Sequence, residues 1–346
     1  MSQQSIPQSA GGAFLQQTRD AIQANFSELY GGLMQIGNVF FCDYVNGNDT
    51  ANDGRSPAGA FKTLATAYGA CVSGHNDCVV MIGDGGSTGT QRVDTKVTWA
   101  KNATHLFGWS PPLMFSHRAR IAPNTTTVAA AGTTPYMLVS ASGCMFSNFQ
   151  LWVGFATGQA AQIGCSITGS RNLFKNVHFA GLADAASAAD GDARILKIGT
   201  AGAGENVFDQ CVIGVDSVAR SAANAAIQFY GTNNIGTPRN VFKDCIFPSF
   251  STATSPLAFY TTGNNQIDRE NYFIRCIFAN APAGTGVATM AGLGTMAAGA
   301  GGVLLFKDCT LLNITEFGTD ATTRGQVYVD GAAPTAATSG IAVNPT

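Results

Sequence analysis

From about residue 136 onward, short apolar runs alternate with polar, glycine-rich gaps, and the runs repeat. Six seven-residue segments align without gaps: MFSNFQL from Met145, LFKNVHF from Leu173, VFDQCVI from Val207, VFKDCIF from Val241, YFIRCIF from Tyr272 and LFKDCTL from Leu305. One column is phenylalanine throughout: Phe146, Phe174, Phe208, Phe242, Phe273 and Phe306. Three residues on stand Phe149, Val177, Cys211, Cys245, Cys276 and Cys309, and two further on Leu151, Phe179, Ile213, Phe247, Phe278 and Leu311. The phenylalanines are separated by 28, 34, 34, 31 and 33 residues. A second apolar run precedes most copies: YMLVS, ILKIG, IQFYG and LAFYT. None of these runs has a helical period, and the leucine or ankyrin-type consensus of helix-containing repeats is missing. The pattern predicts a parallel β-solenoid with one coil per repeat.

Equivalent positions of such a coil stack about 4.8 Å apart, so the phenylalanines lie on one another inside it. Cys211, Cys245, Cys276 and Cys309 do the same. A disulfide between neighbouring rungs is compatible with that spacing, but small buried side chains are the simpler reading. Between the two columns stand Asn148, Asn176, Gln210, Asp244, Arg275 and Asp308. Asn and Asp tolerate a left-handed backbone, which predicts a sharp turn there; Gln210 and Arg275 depart from that chemistry. The unequal intervals leave loops of variable size on one side, such as 181–193 and 279–302, where function can be grafted.

One segment has a different period. Across residues 14–30, Leu15, Thr18, Ile22, Phe26 and Leu29 fall at helical spacing, continued by Leu33, and Gly31-Gly32 ends the pattern. A lone helix of that length is marginal in water, so the stripe Leu15, Ile22, Phe26 and Leu29 must pack on something. Its own domain is one option. A short bundle of identical helices is the other, since Leu15, Ile22 and Leu29 are seven apart.

The segment YVNGNDTANDGRSPAGAFKTLATA from Tyr44 resembles the opening coil of right-handed β-helix proteins of the pectate-lyase-like superfamily. The resemblance implies a strand, an Asn/Asp/Gly-rich turn and a short capping helix entered at Phe61-Lys62-Thr63-Leu64. VVMIGDGG from Val79 resembles the strand and turn that follow. QANFSELYG from Gln23 is similar to a short motif near the N-termini of bacteriophage tail fibre and tailspike proteins, and implies a virion component made in the host cytoplasm. The expected fold is therefore all-β: a single-stranded right-handed parallel β-helix with a short N-terminal α-helix. Residues 1–38 form the attachment segment, 39–329 the β-helix and 330–346 a C-terminal tail.

Composition narrows the function. Nineteen basic and 21 acidic residues give a net charge of −2, and charged residues make up only 12% of the 346. The absence of a basic excess argues against nucleic acid as a partner. No apolar run reaches the roughly 18 residues of a membrane span, and residues 1–8 lack the form of a signal peptide. Nine cysteines with no CxxC, and no histidine at ligand spacing, argue against a metal site; no cofactor is expected. The scarcity of charge leaves a neutral surface suited to close packing of copies, and a homotrimer is expected.

Enzymes that resemble this fold use calcium-binding carboxylates with a basic residue, or paired carboxylates across a groove. The weak candidates are Asp190 and Asp192, which share a loop with Asp184, and Asp268 and Glu270 on either side of Arg269. Loop carboxylates far more often cap turns, and none of these matches a catalytic motif. The Asp49 and Asp53 turn lacks the ligand spacing of a calcium loop, and the four histidines have no nucleophile partner in a recognisable motif. Trp152 follows the inward Leu151 and is expected to point outward, to an interface or a sugar ring. These readings favour a homotrimeric tailspike- or tail-fibre-like protein, attached to other virion proteins through its N-terminus and binding host surface polysaccharide. A capsid decoration protein and a polysaccharide depolymerase are the alternatives.

Overall fold

The computed structural model describes residues 37–199, 203–231, 236–252, 259–261, 266–280, 294–295, 301–314 and 327–329. The expected helix with Leu15, Ile22, Phe26 and Leu29 lies outside the described residues, as does the tail beyond 330. The described chain winds as a solenoid whose typical coil contributes three strands. Met145–Ser147, Gln150–Trp152 and Ile163–Ile167 make one coil; Leu173–Lys175, His178–Ala180 and Arg194–Gly199 make the next. Stacking gives three sheets of ten, eight and seven strands, with parallel pairing throughout. The protein is a right-handed parallel β-helix.

Register follows the repeat. Leu173 pairs with Met145 and Val207, and Phe174 with Phe146 and Phe208. The six phenylalanines form one column with ring centroids 4.8, 4.9, 4.5, 4.8 and 4.8 Å apart and planes within 10° of parallel. All six are buried. Beside them, each cysteine thiol donates to a phenylalanine carbonyl of the preceding coil, Cys211 Sγ to Phe174 O at 3.3 Å and Cys245 Sγ to Phe208 O at 3.3 Å. The nine cysteines are free thiols. Burial pushes Cys245 well above the ordinary thiol range, so these are apolar wedges rather than reactive groups.

The corner between the ten-stranded and eight-stranded sheets takes two residues in each repeat. Its first position is left-handed in all six copies: Asn148, Asn176, Gln210, Asp244, Arg275 and Asp308 have φ of 59, 50, 55, 53, 50 and 52°. Gln210 and Arg275 adopt the turn their chemistry disfavours, at a cost of roughly 1–3 kcal/mol each, because the paired coils above and below impose the register. Arg275 offsets part of that strain with a bidentate pair to Asp244, at 2.7 and 2.9 Å.

Two residues before each of four phenylalanines stands a buried asparagine: Asn172, Asn206, Asn240 and Asn271. Each Oδ1 accepts the backbone N–H of the coil before it, from Cys144, Asn172, Asn206 and Asn240, at 2.9, 3.0, 3.2 and 2.9 Å. This inner ladder satisfies donors that a sharp turn would otherwise bury unpaired. Outside it runs an alternating ladder of charge: Arg171 to Glu205 at 2.7 Å, then Glu205 to Arg239 and Arg239 to Glu270 at 3.6 Å each.

The first coil is covered by a helix, Leu64–Ala70, which starts directly after Phe61-Lys62-Thr63. Thr63 caps its N-terminus, and Leu64 and Ala67 face the core. Lys101 closes the other end, its Nζ donating to the carbonyls of Tyr68, Gly69 and Cys71 at 2.9, 2.9 and 2.6 Å. Charge placed at a helix C-terminus in this way is favourable.

Candidate functional site

Two coils break the two-residue rule: the corner 83–90 spends eight residues between Asp77–Ile82 and Gln91–Arg92, and the next one spends more. Between Thr104–Trp109 and Arg120–Ala122 the chain spends ten residues, 110–119, and folds back over the corner. Asn148 pins the root of this loop, donating Nδ2 to the carbonyls of Gly108 and Ser110 at 2.8 and 2.7 Å. Farther along, Ser116 N donates to His178 Nδ1 at 3.1 Å, and the Phe115 ring meets the imidazole edge-on at 5.8 Å. Gln150 Nε2 lies 3.1 Å from the same Nδ1, so the proton sits on Nε2, which donates to Gly214 O at 2.9 Å.

The loop and the corner enclose a groove of about 350 Å³, lined by Pro112, Met114, Ser147, Asn148, Lys175, Asn176 and Gln210. Its floor is the amide column of the turn, where Asn176 Nδ2 donates to Asn148 Oδ1 at 3.0 Å. Among the described residues Lys175 is its one cation, 3.8 Å from Asp209, and the lining contains no carboxylate. On the outer surface Trp109, Leu113, Met114 and Phe115 are 56, 43, 41 and 41% exposed. Four large apolar side chains on one short stretch mark a contact surface, where scattered single ones would not.

Behind the lining lie two buried histidines. Burial pulls His178 down to about 4, and pulls His117 down to about 4 with help from the Arg120 charge. Both rings are therefore neutral near pH 7. The Asn176 side chain approaches the His117 ring and opposes part of the effect of burial, and His178 spends both of its nitrogens on protein groups. Among the described residues no activated nucleophile and no free general base faces the groove. Its chemistry is binding: amides that both donate and accept, flanked by apolar side chains and one ammonium.

The carboxylates singled out from the sequence lie outside this lining. Glu270 ends the charge ladder at Arg239, and Asp268 sits 3.8 Å from Arg269. Asp190 accepts the backbone N–H of Asp192 at 2.7 Å, and Asp184 caps the short helix Ala185–Ala188. In the first turn Asp49 accepts from Lys62 N and Thr63 N at 2.8 and 3.0 Å, and Asp53 from Arg55 N at 3.0 Å. Each of these four Asp side chains accepts from backbone amides. Among the described residues no group of three or more His, Cys, Asp or Glu is placed to hold a metal ion. Trp152 follows the buried Leu151 in its strand and is half-buried against Gly154, where a Cβ would lie 2.7 Å from the indole Nε1.

Sequence reasoning missed the loop 110–118 and the two histidines beneath it. The signal available was a polar stretch in an outward column, since Arg120, Gln150 and His178 align with Val212 and Ile246.

No family model matches the chain, and no curated protein matches it. Among solved structures it is similar to a pectin methylesterase with a bound hexasaccharide (TM-score 0.47, 16% identity, 88% of this chain and 93% of that one). It is also similar to the pectin methylesterase PemA from Erwinia chrysanthemi (0.46, 15%, 88% and 93%) and to the pectate lyase Pel9A (0.40, 11%, 87% and 82%).

Proposed function

We propose that this chain is a non-catalytic, glycan-binding β-helix of a tailed-phage particle, attached through residues 1–38 and assembled as a homotrimer. The observation that carries the binding part is the groove at the 110–119 corner. Side-chain amides of Asn176 and Gln210 offer donors and acceptors of the kind that grip vicinal hydroxyls, with Asn148 holding the loop in place and Met114 and Pro112 supplying apolar walls for C–H faces. Among the described residues the lining carries no carboxylate and faces no free base, which supports retention rather than cleavage. The virion part rests on the likeness of residues 23–31 to tail fibre and tailspike N-termini.

The test is retention of the purified protein on host cells and on their extracted surface polysaccharide. Binding without release of new sugar ends is the expected result, and Asn176→Ala with Gln210→Ala should weaken it at least tenfold. Absence of binding to both materials would sink the glycan reading. Release of shortened chains would establish depolymerase activity instead. Labelling this chain on intact particles checks the other half: density at the tail is expected, and density spread over the head lattice would make it a decoration protein.

A further inference from the structure

The outer face of the ten-stranded sheet changes character along the solenoid. In its first three strands, Val39–Cys42, Asp77–Ile82 and Thr104–Trp109, the residues Phe40, Val79 and Leu106 point into the core. Strand alternation therefore turns Phe41, Val80, Ile82, Phe107 and Trp109 outward. Register stacks them: Phe41 pairs with Val80, Val80 with Phe107 and Ile82 with Trp109. The Trp109 ring lies 6.1 Å from that of Phe41 and is 56% exposed, while the other four are half-buried. The same outward column then turns polar. Phe107 pairs with Ser147, Ser147 with Lys175, Lys175 with Asp209 and Asp209 with Lys243. Five large apolar side chains are thus gathered on three coils, at one end of a column that is polar in the next four.

That end is where the chain enters the solenoid. Gly37 N donates to Asn76 O at 2.8 Å and Asn38 N to Asp77 Oδ1 at 2.6 Å, which fixes the entry beside the patch. The 36 residues ahead of Gly37 carry the stripe Leu15, Ile22, Phe26 and Leu29 at helical spacing. A helix of that length needs an apolar partner. The dimensions match: Ile22 and Leu29 are seven residues apart, about 10 Å along a helix, and two steps between coils also span about 10 Å. The stretch from Tyr30 to Gly37 reaches about 24 Å when extended, enough to lay the helix back over the coils that follow it.

We propose that residues 14–30 form a helix that docks on the outer sheet face of their own chain, with the Ile22, Phe26 and Leu29 side on Phe41, Val80, Phe107 and Trp109. The helix runs along the solenoid axis, across the strands, and Gly31-Gly32 makes the reversal into Val39–Cys42. The contact removes two apolar surfaces from water at once, one on the coils and one on the helix. It leaves residues 1–13 for attachment to other virion proteins, and it does not depend on glycan binding at the groove.

Photo-crosslinking of the full chain tests this, with p-benzoylphenylalanine placed at position 26. The expected product is a link from position 26 to peptides containing 39–42, 77–82 or 104–109, in a species that keeps the mass of a single chain under denaturing conditions. A linked species with the mass of two chains would make the stripe a contact between copies and overturn the proposal. Links confined to other parts of the solenoid, or no links at all, overturn it too. Hydrogen exchange gives the reciprocal reading. Phe107→Ser combined with Trp109→Ser should speed exchange of the 14–30 amides about tenfold or more, with the coil amides as protected as in the wild type. Equal exchange of 14–30 in the two proteins would overturn the proposal, and the crosslink decides the matter even if the double variant fails to fold.

Discussion

Phe208 lies face to face between Phe174 and Phe242, with centroids 4.9 and 4.5 Å away, so truncating it opens a cavity that neither neighbour can fill without leaving its own stack. Phe208→Ala should cost about 3–5 kcal/mol, read as a lowered denaturant midpoint. Asn240→Ala acts differently: it strands the buried backbone N–H of Asn206, and should cost about 1–3 kcal/mol with little loss of volume. The histidines add a pH dependence. His117 and His178 bind protons at about 4 in the fold and near 6.5 when unfolded, so between those values the unfolded chain holds more protons. Their contribution is full above pH 6.5 and drains away as pH falls towards 4, about 3 kcal/mol for each ring. Thermal melts across that window should show the fall, and His178→Gln should flatten part of it. At this scale the phenylalanine and cysteine columns were legible because an inward position repeats its chemistry coil after coil. The asparagine ladder recurs two residues before four of the six phenylalanines, but it lies outside the seven-residue block that aligns by apolar pattern. Gln210 and Arg275 looked wrong for a left-handed turn because local preference was weighed without the register that overrides it.

Among the elements, the loop 110–119 stands apart as the longer of the two corners, 83–90 and 110–119, that replace a two-residue turn. Exchanging it for a two-residue Asn-containing turn should leave the coils paired, since the strands on either side keep their partners, while removing Met114 and Pro112 from the groove. The expected outcome is an unchanged β-sheet circular dichroism signal together with loss of glycan retention. Lys101 binds the helix end to the first coils, and Lys101→Met should cost about 1–3 kcal/mol by freeing three carbonyls from a charged donor. The capping helix at Leu64 was readable from its resemblance to related opening coils. The long corner was not, because residues 104–122 carry neither the Phe-column spacing nor the Asn of the later turns. Its role depends on what it covers, and the covered residues, Asn148, Asn176 and His178, are distant in sequence.

In the whole molecule each coil touches the ones above and below it, so stability is set by neighbouring contacts and the surface is free to vary loop by loop. A rigid wall with an elaborated corner is the architecture of a presenter: the solenoid fixes the spacing of the amides and the loop 110–119 supplies the apolar side chains. The central claim is that this corner is where a surface glycan is held. Hydrogen exchange of the full chain with and without extracted host polysaccharide tests it most directly. Protection confined to backbone amides of the 110–118 loop and of the Asn148, Asn176 and Gln210 turns is the predicted result. Protection appearing elsewhere on the solenoid, with that corner unchanged, would contradict it.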